Sequence, residues 1–206
     1  MITYIAHFFI GFLMAYAGLL PPGMMNMTVM RHAILHGLRP ALQFAAGAAS
    51  IVLIQAFIAL YFARYLTSHP DLLVVLKKLA VAVFLLLAIH FYRLSKKQLS
   101  EKTKKIDHHL YLAGMAMSSM NMLAIPFFFG YSTILEINGW ISISSPWYFF
   151  FVGGAACGAF ALFYTYARFA GYISTRIGFI ARNINLILSI LFVFLTVVTL
   201  TSILAS

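Results

Sequence analysis

Acidic side chains are almost missing from this chain: four in 206 residues, against fourteen lysines and arginines. Asp71, Glu101, Asp107 and Glu136 are all of them, and no two sit at the spacing of a catalytic carboxylate pair. Neither a Ser/His/Asp set nor a metal triad can be picked out, so the chain is not expected to be an enzyme. A single cysteine, Cys157, excludes an internal disulfide and a cysteine metal cluster. Charged residues make up only 9% of the chain, where a soluble domain has about a quarter. What fills the space is apolar: 63% of residues are hydrophobic. The composition is that of an integral membrane protein. No basic segment has the polar, aromatic-interleaved face of a nucleic-acid groove, so the basic excess reads as topology signal and anionic-lipid contact.

Taking roughly 20 residues per crossing, six apolar segments can be marked, at about 2–34, 41–63, 72–94, 110–136, 147–168 and 183–204. The polar run 95–109 separates the third from the fourth. The first segment lacks a basic leader and a clear cleavage site and is expected to stay in place. With the N-terminus outside, eleven basic side chains, Arg31, Arg39 and Lys96 among them, fall on the inner side. Only Arg64, Lys77 and Lys78 fall outside. The bias toward positive charge inside therefore puts both termini on the outer side. The fold expected is all-α, a single transmembrane domain of six helices.

The first segment does not run smoothly. Pro21-Pro22-Gly23 interrupts it, and Met24 to Ile34 is helix-compatible again. Proline lacks a backbone donor, and an unpaired backbone group in hydrocarbon costs several kcal/mol, so such a break survives only against protein or a wet cavity. It is read as one wall of a binding site, although a simple packing kink would show the same residues. Three segments entering from outside and three from inside allow an inverted repeat, about 1–94 and 110–206. Ala46-Gly47-Ala48-Ala49-Ser50 in the second segment is similar to Gly153-Gly154-Ala155-Ala156-Cys157 in the fifth. Each cluster follows a proline, Pro22 or Pro126, at a similar distance, so the first and fourth helices are expected to be proline-broken. Small residues also let helices approach closely, whatever else they do.

At these residues the chain resembles the LysE/RhtB-type amino-acid exporters of the LysE superfamily. Pro22-Gly23, Asn26, Gly37-x-Arg39-x-Ala41 and Gly47 follow that family's pattern. Asn121-x-x-Ala124 with Phe127-Phe128 resembles its fourth-span signature. The resemblance implies a bacterial inner-membrane exporter of amino acids or related small metabolites, driven by the proton gradient. The chain departs from the pattern where the family has an acidic residue in the second span: Ile51 and Val52 stand there, with only Ser50 and Gln55 as polar neighbours. The family's second proline after the glycine is Met24 here, and its fourth-span proline and lysine are Met122 and Leu123.

A zwitterion needs donors for its carboxylate and acceptors for its ammonium. The N-terminus of a half-helix starting near Met24, with Asn26 in its first turn, suits the first need. The missing N–H of Pro126 leaves the carbonyl of Met122 available for the second, with Ser118, Ser119 and Asn121 close by. The expected substrate-binding set is Pro21, Pro22, Gly23, Met25, Asn26, Gly47, Ser50, Gln55, Ser118, Ser119, Asn121, Met122 and Pro126. Asn121 serves an interhelical hydrogen bond equally well. Glu136 is the candidate for a gate or proton entry, or else a solvated helix end. His7 and His90 are the titratable groups within reach of the membrane interior. Tyr131, Tyr164 and Tyr166 either line the path or sit in interfacial belts. No cofactor or resident metal is expected, and the partners are a small-molecule substrate and the bilayer, with a homodimer left open. Two other functions stay open. Methionines at 24, 25, 27, 30, 115, 117, 120 and 122 would suit a soft-metal exporter, and the missing acid would suit an uncoupled facilitator.

Overall fold

The computed structural model describes residues 2–67, 70–96, 109–121, 123–176 and 178–204. Among these every regular element is an α-helix. They are α1 (Ile2–Gly18), α2 (Met24–His36), α3 (Leu38–Thr67), α4 (Pro70–Ser95), α5 (Leu110–Ser119), α6 (Ala124–Ile137), α7 (Trp147–Arg168), α8 (Ala170–Arg176) and α9 (Gly178–Leu204). Helices thus occupy all six apolar segments. Two of them, Leu38–Tyr65 and Trp147–Arg168, are long and apolar enough to cross a membrane alone, and α5 with α6 makes a third such stretch bent by 65°. Hydroxyls within the helices are turned back onto their own carbonyls, as with Thr133 on Phe129 (2.8 Å), Thr196 on Phe192 (2.7 Å) and Thr199 on Leu195 (2.8 Å). That is how an apolar helix carries a polar side chain without a foreign partner.

The chain divides into two compact units. One comprises 1–65 and 105–176, the other 66–104 and 177–206. Each unit therefore takes residues from both halves of the sequence: the first two apolar segments of each half in one, the third of each in the other. In the smaller unit α4 packs along α9, with Phe192 against Phe84 and Phe91 and the Ser189 hydroxyl donating to the Ala88 carbonyl at 2.9 Å.

The larger unit is built on two helix pairs joined through glycine. In α1 and α7, a Cβ on Gly11 would overlap the carbonyl of Phe151, one on Gly154 that of Phe8, and one on Gly158 that of Phe12. In α3 and α5, a Cβ on Gly47 would overlap the carbonyl of Tyr111, and one on Gly114 that of Phe44. The register is reciprocal: each of the four glycines 11, 154, 47 and 114 sits on the residue three positions before the glycine it faces. Both pairs run parallel: Phe8 and Phe12 meet Gly154 and Gly158 in order, and along α3 and α5 Gly47 meets Tyr111 before Gln55 reaches Ser118. Around this contact lies a core in which Phe44, Phe128, Phe151, Phe163 and Leu162 are fully buried. The outer faces carry large exposed apolar side chains, Ile5, Phe9 and Leu13 on α1 and Leu53, Ile54, Tyr61 and Phe62 on α3. Such stripes are untenable in water and suited to acyl chains.

Two interruptions mark this unit. α1 ends at Gly18 and α2 begins at Met24, with Pro21-Pro22-Gly23 in the joint. α5 ends at Ser119 and α6 begins at Ala124. Pro126 is not the breaking residue that the sequence led one to expect. It is the third residue of α6, where the missing N–H would have no intrahelical partner anyway. The joint falls upstream, and Met122, whose carbonyl was to be freed, lies outside the described residues.

Candidate functional site

The first joint is held by side chains that reach its carbonyls. Asn26, in the first turn of α2 and only 3% exposed, donates both amide hydrogens backward, to Leu19 O at 2.7 Å and Pro21 O at 2.9 Å. Tyr166 of α7 donates its hydroxyl to Leu20 O at 2.7 Å. Three consecutive carbonyls that a continuous helix would have paired are thus each satisfied by a side chain. Asn26 was expected to offer a donor to a substrate; its hydrogens are engaged within the protein. Gly23 begins α2 in an extended conformation, and no side chain caps that helix. Its first N–H groups carry the positive end of the helix dipole, an arrangement chemically suited to an anion. Pro22 is buried and Met25 half-buried beside it.

The second joint is held from a neighbouring helix. Gln55 of α3, 5% exposed, donates to Ser118 O at 3.0 Å and to Asn121 O at 3.3 Å. Two carbonyl acceptors fix which end of the amide faces them, so the oxygen must point away. That oxygen, Gln55 Oε1, is fully buried and accepts no hydrogen bond among the described residues. Both carbonyls also have backbone donors, Asn121 N on Ser118 O (3.0 Å) and Ala124 N on Asn121 O (3.3 Å). The Asn121 side chain accepts from Leu123 N at 3.4 Å. Ser119 is exposed and donates to its own helix, to Met115 O at 2.6 Å. Gly47 is the close-packing glycine described above, and Ser50 meets the Tyr111 hydroxyl at 2.8 Å. Of the expected set, the structure therefore brings Gln55, Ser118 and Asn121 together, gathers Pro21, Pro22, Gly23 and Asn26 at the other joint, and leaves Ser119 and Pro126 exposed.

The end of α1 rests on α6: a Cβ on Gly18 would overlap the ring of Phe127. Between these helices is a cavity of about 240 Å3 lined by Met14, Ala17, Gly18, Phe127 and Tyr131. Its walls are apolar and aromatic. The smaller unit has a groove of about 490 Å3 whose aliphatic wall ends in Arg93 and Lys96, the profile of a surface that meets lipid headgroups. It holds no helix interruption. Among the described residues no three of His, Cys, Asp and Glu come together.

Tyr166, expected either to line the path or to sit in an interfacial belt, is 4% exposed and belongs to the first joint. Tyr131 and Tyr164 are exposed. Tyr111 was not singled out because nothing local marks it, and its partners on α3 lie far away in sequence. Glu136, at the end of α6, accepts the backbone N–H of Ile143 at 3.3 Å.

Interrupted helices packed through glycine, with outer faces of exposed phenylalanine, leucine and isoleucine, define a helical multi-pass membrane protein with buried polar joints. The family model described as LysE type translocator matches residues 16–202, so the chain belongs to that family, whose members are transporters. No curated protein and no solved structure matches the chain.

Proposed function

We propose that the chain is a secondary transporter of the bacterial inner membrane that exports amino acids or related small zwitterions by alternating access. In this reading the six apolar segments form a 3+3 inverted repeat, broken in the first and fourth, with both termini on the periplasmic side. The observation that carries it is the reciprocal glycine register. α1 stands on α7 as α5 stands on α3, which is the relation expected of two copies of one unit entering from opposite sides. In each copy the partner helix also tends the joint, Tyr166 of α7 at the first and Gln55 of α3 at the second.

The division of labour follows from the chemistry. A substrate carboxylate is received by the uncapped start of α2. An apolar side chain takes the cavity between Met14 and Tyr131. The ammonium, a donor with nothing to accept, goes to Gln55 Oε1, the buried acceptor left without a partner. Lipid and a small metabolite are the partners of this reading.

The test is export from cells fed with dipeptides, across a panel of amino acids, with and without an uncoupler. Falling internal amino acid that the uncoupler restores supports the whole reading. Export that ignores the uncoupler leaves a facilitator, and protection from copper without amino-acid export would replace the reading by metal efflux.

A further inference from the structure

The segment between α6 and α7 is fastened by two proton acceptors. It turns sharply at Gly139, whose φ of 72° lies in the left-handed region. It then sends Ile141 and Ile143 inward, at 6% and 1% exposure, into the core of the larger unit. Side chains of α1 and α6 take two successive backbone N–H groups of this strap. Ser142 N donates to His7 Nε2 at 2.8 Å, and Ile143 N, the next one, donates to Glu136 Oε1 at 3.3 Å. A backbone amide can only donate, so the His7 nitrogen facing it carries no proton. His7 itself is 3% exposed.

We propose that His7 and Glu136 form one proton-binding site, and that its occupancy releases the strap 139–146 from the end of α1 and α6. A proton from the aqueous phase adds to Nε2 and makes imidazolium. The new N–H then faces the Ser142 N–H, and that hydrogen bond is lost outright. A second proton on Glu136 gives a neutral carboxyl, whose acceptance from Ile143 is roughly half as strong. The ring of Trp147, stacked 5.5 Å from His7, offers the imidazolium a compensating face. Other ionisable groups at this end are few. Residues 138–146 contain none, α7 carries no charged residue before Arg168, and His7 and Glu136 are the ones that α1 and α6 supply. Arg64 stands near the end of the parallel α3, and Met1 lies outside the described residues. On the transporter reading, the site would let an inward proton gradient open the outer end without the second-span acid this chain lacks.

Hydrogen exchange over the strap tests this on the full chain in lipid nanodiscs, at pH 7.5 and 5.5, each rate corrected for intrinsic exchange. Wild-type protection at 142 and 143 falls about tenfold at the lower pH, the scale set by losing one hydrogen bond to a buried group. His7→Gln keeps an acceptor at the same reach and removes the titration, so its protection stays within about twofold across the range. Glu136→Gln loosens Ile143 at both pH values. Equal protection of the wild type at the two pH values overturns the proposal, as does a His7→Gln variant that loosens as the wild type does. No transport enters this readout, so an inactive transporter with a releasing strap would sink only the export reading, and an active one with a pH-blind strap only this one.

Discussion

The two joints of the larger unit solve the same problem in different ways. At residues 19–23 the chain closes its own wound: Asn26 and Tyr166 take the carbonyls of Leu19, Leu20 and Pro21. At residues 120–123 the backbone already pairs the carbonyls of Ser118 and Asn121, and Gln55 adds a second donor to each. Its own oxygen is left buried and unpaired. A buried acceptor without a donor costs about 1–3 kcal/mol. The three carbonyls of the first joint are therefore met within the protein, whereas the second keeps an unmet need that stability does not explain. In the proposed function a ligand donor meets it.

The variants that test this contrast differ in size of effect. Asn26→Ala should be the largest, removing both donors from Leu19 and Pro21 and lowering stability by roughly 3 kcal/mol. Thermal unfolding in detergent should show that loss and cells should show no export; a folded, exporting variant would mean that the first joint needs no clasp. Gly154→Ala and Gly47→Ala each press a methyl into a facing carbonyl and should cost between about 1 and 3 kcal/mol. The two should be alike, and a large inequality in their unfolding midpoints would break the equivalence of the helix pairs. Tyr166→Phe takes one donor from Leu20 and should cost about 1 kcal/mol, read in the same assay. Gln55→Met separates the joints most cleanly. Because the Ser118 and Asn121 carbonyls keep their backbone donors and an orphan oxygen disappears, stability should change by less than about 1 kcal/mol, while export falls at least tenfold. Export at the wild-type rate would deprive the second joint of its ligand role.

Much of this contrast is out of reach of the sequence. Two prolines and a glycine leave a helix no regular way forward, and the first joint is where they are. Pro126 misleads because proline is as comfortable in a first helical turn as at a break, and the second joint has no proline in it. Asn26 is legible as a polar residue that must be paired, and its partners lie five and seven residues back. The partners of Gln55, Tyr166 and His7 are 63 or more residues away, beyond any pattern of spacing. The small clusters at Gly47 and Gly154 are visible as clusters, yet which backbone each glycine admits is not.

By itself the sequence determined that this chain lives in a bilayer, which stretches are helical, and where small residues permit close approach. Those follow from composition and local geometry, because apolar run length and backbone freedom are properties of neighbouring residues. Only the tertiary structure decided which carbonyl each buried amide and hydroxyl holds, and which acceptor is left wanting. In a medium without water every polar group must find a partner inside the protein, and the fold alone brings residues a hundred positions apart within 3 Å.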